Sequence, residues 1–166
     1  MPGSEIMVIF TSSDCAPETG AGGWGSLLRY TCKGKTSEKE LSGCEESTTD
    51  NRMGLVAVVE ALAALNRPMT VDLHTVSLYV RRGINEWLPK YKGTDWKKAD
   101  GTDLPNADLW RRLETLVGKQ TVRFHWTKEK NRNSEYERVG ELAKNAAGKA
   151  TSVMAEQGVS DGKVGS

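Results

Sequence analysis

An α/β fold with a mixed five-stranded sheet flanked by helices is what this chain predicts, on three observations. Three strand-like segments precede any helix signal, helical periodicities then alternate with short apolar runs, and turn or cap residues stand at the boundaries. At 166 residues the chain fits a single domain with a sound core.

Ile6 to Thr11 is an apolar run bounded by Gly3-Ser4 and Ser12-Ser13, which reads as a buried strand. Gly20, Gly22, Gly23 and Gly25 surround Trp24 and lead into a second strand at Ser26 to Tyr30. Lys33-Gly34-Lys35 supplies a hairpin turn, and Thr36 to Ser42 returns as a third strand, giving an antiparallel opening unit. Thr49 or Asp50 then caps a helix in which Met53, Val56, Val58 or Val59, Leu62 and Leu65 recur at helical spacing, with Pro68 beyond its end. Val71 to Thr75 is a short buried strand. From about Ser77, Tyr79, Val80, Ile84, Trp87 and Leu88 lie on a helix that Pro89 is expected to break. Asn106 is placed as the N-cap of a helix carrying Leu109, Leu113, Leu116 and Val117 on one face. Val122 to Trp126 forms the last strand, and Ser134 with Glu137 matches a capping box for a helix ending near Gly148. Thr151 to Ser166 is rich in Gly, Ser and charge, so the domain is drawn as 1–150 and the segment 151–166 as a flexible tail.

The 23 basic and 22 acidic residues leave a net charge of +1, so affinity for nucleic acid must come from local patches rather than bulk charge. Cys15, Cys32 and Cys44 are an odd set without C-x-x-C spacing, which argues against a disulfide framework and a zinc knuckle. The longest apolar stretch near the start, Ile6 to Phe10, is far below the ~18 residues of a membrane span. A soluble, cytoplasmic monomer with no membrane contact is the expectation.

Four collinear segments carry the functional signal. They are Ile9-Phe10-Thr11-Ser12-Ser13-Asp14-Cys15, Thr48-Thr49-Asp50-Asn51-Arg52-Met53-Gly54-Leu55, Leu73-His74-Thr75-Val76-Ser77 and Glu137-Arg138-Val139-Gly140-Glu141-Leu142-Ala143. Together with Leu28-Arg29-Tyr30, Tyr79-Val80-Arg81, Trp96-Lys97, Ala107-Asp108-Leu109-Trp110 and Trp126, they resemble the type 1 ribonuclease H family over roughly Ile6 to Ala147. The resemblance implies the ribonuclease H-like fold. It also implies four carboxylates, from two strands and two helices, converging on a pair of magnesium ions that activate water and stabilise the leaving oxygen of an RNA phosphodiester. In this sequence those ligand positions fall on Ser12, Gly54, Val76 and Gly140, and the family's loop histidine position falls on Lys130. Magnesium takes oxygen ligands and its charge must be offset, so a two-metal site in the usual place is not expected, and no cofactor is assigned. His74 and His125, the only histidines, are read as packed or half-exposed strand residues. Asp14, Asp50, Glu135, Glu137 and Glu141 are acids near the expected cleft, but Asp50 and Glu137 already have capping roles.

The segment from Trp87 to Lys98 resembles the basic protrusion with which some family members grip the DNA strand of an RNA/DNA hybrid. Candidate nucleic-acid contacts are Thr49, Asn51, Arg52, Lys90, Lys92, Trp96, Lys97, Lys98 and Lys130, with Glu18 and Asp50 opposing. The alternative for the protrusion is that Trp87 and Trp96 anchor it to the core beneath a solvated lysine face. The expectation is a catalytically inactive protein that binds RNA/DNA hybrid or structured RNA, weakly and with salt sensitivity, without cleaving it. Two alternatives stand beside it. One is a protein-interaction subunit with an exposed apolar patch around Trp24 or Trp110. The other is a ribonuclease with a rebuilt metal site.

Overall fold

A computed structural model describes residues 5–128 and 133–165, with side chains described to residue 152. Its five-stranded sheet has the order β3-β2-β1-β4-β5, built from β1 (Glu5–Cys15), β2 (Gly22–Cys32), β3 (Lys35–Glu45), β4 (Thr70–Thr75) and β5 (Thr121–Trp126). The first three strands are antiparallel, whereas β4 lies parallel to both β1 and β5, so the expected mixed sheet is what the chain forms.

The central strand is buried on both faces from Ile9 to Ser12, which is why its apolar run does not alternate there, whereas Ile6 at the start of the run is exposed and Val8 half-buried. Ile9 faces the core formed with α1 (Asp50–Ala63), while its neighbour Phe10 faces a second cluster with Leu27, Tyr136 and Val139. The second cluster is covered by α5 (Ser134–Gly165), which crosses β1, β2 and β3. Glycines in β2 permit that crossing. A Cβ on Gly23 would lie 2.3 Å from the Ala143 carbonyl oxygen, and one on Gly25 would lie 2.7 Å from that of Val139.

Several boundaries differ from the sequence reading. Thr49 alone is the N-cap of α1, its Oγ1 accepting from the Arg52 amide at 3.1 Å, and Asp50 is a first-turn residue. Asp50 therefore has no capping duty. The cap of α5 is Asn133, whose Oδ1 accepts from the Tyr136 amide at 3.1 Å, so Ser134 opens the helix and Glu137 is not half of a capping box. The helix also runs past Gly148. Asn106 does precede α4 (Ala107–Lys119), but in a left-handed conformation and without a side-chain cap bond. Its amide instead donates to the Tyr79 hydroxyl at 2.9 Å and accepts from Arg52 at 3.2 Å.

Pro89 does not end its helix. Helix α2 (Leu78–Arg82) continues through a π-turn at Gly83–Trp87 into α3 (Leu88–Tyr91), where Pro89 lies in the first turn. The wide turn comes just before the residue that cannot donate an amide hydrogen bond. It also brings the backbone of Gly83 against Trp110. Among the described residues no helix is long and apolar enough to cross a membrane.

A Cβ at Gly83 would lie 1.9 Å from the Trp110 ring, which is 1% exposed and has no room to retreat. Gly83→Ala is expected to lower stability by about 3 kcal/mol through overpacking. Gly118→Ala, in α4 with nothing within 4 Å, should raise it by about 0.5 kcal/mol through helix propensity. Urea denaturation of both variants reads the two signs.

Candidate functional site

The C-terminal ends of the parallel strands β1 and β4 meet the first turn of α1, and between them opens a cleft of about 290 Å³. Its walls include Ser12, Ser13, Asp50, Gly54, Val76 and Ser77, so three of the four positions singled out in the sequence come together. A crevice at the carboxyl ends of strands is where open α/β sheets bind ligands. Thr11 ties the two strands at its base, donating from Oγ1 to the His74 carbonyl at 2.9 Å.

Hydroxyls dominate the polar lining. Ser13 Oγ donates to Asp50 Oδ1 at 2.8 Å, fixing the carboxylate at the mouth. Ser77 caps α2, its Oγ accepting from the Val80 amide at 3.1 Å. Gly54 lies in the floor, where an added Cβ would make ordinary contacts of 3.4 Å with Ser77 Oγ and 3.5 Å with Ser13 Oγ. Sterics do not demand glycine there. Val76, at the end of β4, packs against the apolar cluster of Phe10, Leu27, Tyr136 and Val139. Gly140 is half-buried on α5.

This donor set does not fit the pair of magnesium ions that the family resemblance implies. Ser12 offers a neutral hydroxyl, and Gly54, Val76 and Gly140 offer no side-chain oxygen. Among the described residues there is no group of three or more His, Cys, Asp or Glu placed to hold a metal. Of the acids considered from sequence, Asp50 alone lines the cleft. Asp14, Glu137 and Glu141 are exposed outside its lining, and Glu135 faces Arg29 at 3.4 Å. The Cys15 thiol near the mouth is pushed up by burial and by the charges of Asp50 and Asp14, so it stays protonated and is a poor nucleophile.

Two strand residues below the cleft, the rings of Phe10, His74 and His125 form a column across β1, β4 and β5, with centroid spacings of 4.8 and 4.7 Å. Direct register between His74 and His125 produces the stack. Asp72 accepts from Arg123 and bonds His125 Nε2, both at 2.8 Å. Burial pushes the Asp72 carboxyl up, but those bonds outweigh it and hold the group below its usual range. Burial also depresses the pKa of His74, and a charge on His125 depresses it further, against the opposing pull of Asp72.

The candidate nucleic-acid contacts divide. Lys90, Lys92, Lys98 and Asn51 are exposed. Lys97 is exposed but ion-paired with Asp103 at 2.9 Å. Trp96 is corrected: it is 1% exposed, stacked on Trp110 and donating from Nε1 to Glu114 at 2.8 Å, so it anchors the protrusion. Arg52 is half-buried and engaged within the chain, its guanidinium meeting Asp108 at 2.9 and 3.1 Å and Glu45 at 3.3 Å. Thr49 is taken up by its cap. Lys130 lies outside the described residues. The apolar patch expected of an interaction subunit is not found at Trp110, also 1% exposed, or at Trp24, which is half-buried against Gly43. Sequence reading missed Leu78, which is 65% exposed on the cleft lip, and the Ser13–Asp50 pair. Ser13 carried no helical or strand signal to betray it.

Fold and cleft together define a ribonuclease H-like α/β protein. Residues 4–148 match the family described as RNase H, and the chain belongs to that family. A protein named Ribonuclease H from Cupriavidus pinatubonensis is 45% identical over 137 residues, which covers 82% of this chain and 92% of that protein. LC9-RNase H1, a type 1 RNase H with the type 2 active-site motif, superposes with a TM-score of 0.76 at 25% identity, covering 89% of this chain and 74% of its own. LC11-RNase H1, solved in complex with RNA/DNA hybrid, shares the fold at a TM-score of 0.64 and 19% identity, covering 87% and 99%. The kinship corrects the expectation of a catalytically inactive, non-enzymatic binder: at 45% identity over nearly the whole of a protein named Ribonuclease H, the chain groups with enzymes, and that reading does not stand.

The depressed His74 makes stability depend on acid. Below its ordinary pKa of 6.5 the unfolded chain takes up a proton that the folded chain resists, so His74's contribution is full above that pH and falls as the pH drops beneath it. His74→Phe keeps a stacked ring without the titration. Its urea midpoint should fall less than that of the parent between about pH 7 and about pH 5.

Proposed function

We propose that this chain is a ribonuclease acting on the RNA strand of an RNA/DNA hybrid, with its chemistry gathered around Asp50. The observation that carries the reading is the 45% identity, over 92% of its length, with a protein named Ribonuclease H. The hybrid as substrate draws support from LC11-RNase H1, a fold relative bound to RNA/DNA hybrid, from a cleft of about 290 Å³ lined by Asn51 and hydroxyls, and from the exposed lysines of the protrusion.

On this reading Lys90, Lys92 and Lys98 contact phosphates of the duplex, which makes binding weaken as salt rises. Asn51 and the Ser12 and Ser77 hydroxyls, all in the cleft lining, hydrogen-bond the strand at the cleft. Asp50, oriented by Ser13, takes a proton from the water whose oxygen bonds to phosphorus, while the ester bond from phosphorus to the leaving ribose oxygen breaks and that oxygen takes a proton from solvent. The four carboxylate-bearing positions of the family are read as rebuilt, with this carboxylate and its neighbouring hydroxyls in their stead. His125 and His74 lie outside the cleft lining, His125 bonded to Asp72 and His74 stacked between Phe10 and His125.

A hybrid labelled separately on each strand tests the assignment. The RNA strand should be cut and the DNA strand left whole. Asp50→Asn should slow cutting by about 10² to 10⁴, the span of a lost general base, with hybrid affinity little changed. Ser13→Ala should give a smaller loss. Binding of the hybrid with no cutting of its RNA would overturn the proposal.

A further inference from the structure

We infer that the cleft engages nucleic acid without any divalent cation, because its floor has been rebuilt from apolar packing and neutral hydroxyls. The inference rests on the hybrid reading for its ligand, but its argument is independent of whether the RNA is cut.

Converging carboxylates repel one another and repel phosphate, so a site built from them needs cations before substrate can approach. Here a single carboxylate remains in the lining, and it is already hydrogen-bonded by Ser13. The change at Val76 goes further than loss of a ligand. Its side chain belongs to the cluster of Phe10, Leu27, Tyr136 and Val139 that seats α5 on the sheet, so this wall of the cleft is part of the core. A cation placed there would meet hydrocarbon and lose its water without gaining oxygen donors. On the opposite wall, Gly54 leaves room beside the Ser13 and Ser77 hydroxyls; Ser13 has given its proton to Asp50, whereas Ser77 accepts from the Val80 amide and keeps its own proton for a phosphate oxygen or a water. Neutral donors need no counterion to accept an anion. The phosphate is therefore met directly, and its remaining charge is balanced by the exposed lysines of the protrusion.

The test begins with the protein alone. Magnesium and then manganese chloride are titrated into it by calorimetry, and its melting midpoint is followed with cation or with chelator. No saturable heat and an unchanged midpoint are expected. Ser12→Asp combined with Gly54→Glu, which spares the Val76 cluster, should create a saturable manganese site beside Asp50 and raise the midpoint when loaded. If that variant does not fold, Gly54→Glu alone serves, since its Cβ has room. Hybrid affinity is then compared in magnesium and in chelator at matched ionic strength. Equal dissociation constants within about twofold are expected. A saturable cation site in the parent that Asp50→Asn removes, or a tenfold or greater loss of hybrid affinity in chelator (about 1.4 kcal/mol), would overturn the inference. Absence of RNA cutting with cation-independent binding would sink the ribonuclease reading and leave this one standing.

Discussion

Parallel pairing of β1 with β4 is the constraint on which everything else hangs. Because the two strands run the same way, their carboxyl ends finish together, and the chain leaving β4 must turn into α2 while α1 arrives beside them. One face of the pairing, with Met7, Ile9, Val71 and Leu73, is buried, and a polar group there needs a partner. Thr11 obeys that rule: it is 1% exposed and gives its hydroxyl proton to the His74 carbonyl. Everything the cleft offers is hung from these two strand ends and the start of one helix. A slip of one residue between β1 and β4 would exchange Ile9 for Phe10 across the sheet and dismantle both cores at once.

How much of this was legible in the sequence follows from which forces act locally. The five strands and the order of elements were readable because apolar runs and turn residues are local signals, and the four collinear segments located the cleft before any coordinate did. Caps were less legible, since Thr49, Asp50, Asn133 and Ser134 are all competent capping residues and only backbone geometry chooses among them. Pro89 misled for a related reason: a proline ends a regular helix, but a π-turn ahead of it absorbs the missing hydrogen bond. Trp96 was ambiguous by nature, because an aromatic among lysines suits either a nucleic-acid surface or an anchor. Burial against Trp110, on another element, decided it. The role of Arg52 was invisible for the same reason, its partner Asp108 lying on another helix.

Electrostatics separates the frame from the site. In water, one carboxylate about 6 Å from a phosphate costs roughly 0.7 kcal/mol, so four of them without cations would cost several times that, and one is a small burden. A cleft lined by Ser12, Gly54 and Val76, with Asp50 as the one carboxylate in its lining, carries little of that repulsion. These positions also serve the frame: Ser12 pairs with Gly25 in the ladder of β1 and β2, the Val76 carbonyl accepts from Trp126 Nε1 at 3.2 Å, and the Val76 side chain packs against the cluster beneath α5. Removing metal ligands from most sites leaves buried polar groups unpaired. Here the space beside Gly54 is lined by hydroxyls already bonded to Asp50 or to a helix amide, and by hydrocarbon already packed.

That leaves Asp50 in an unusual position. It is exposed, so its charge is cheaply solvated and it needs no partner for stability, yet Ser13 orients it towards a cleft whose other walls are neutral. A lone, oriented carboxylate in such surroundings has its field least diluted by neighbours. On the ribonuclease reading proposed above it repels an arriving phosphate, and the exposed lysines of the protrusion offset that repulsion from a distance, through a screened interaction that decays over about 8 Å at physiological salt.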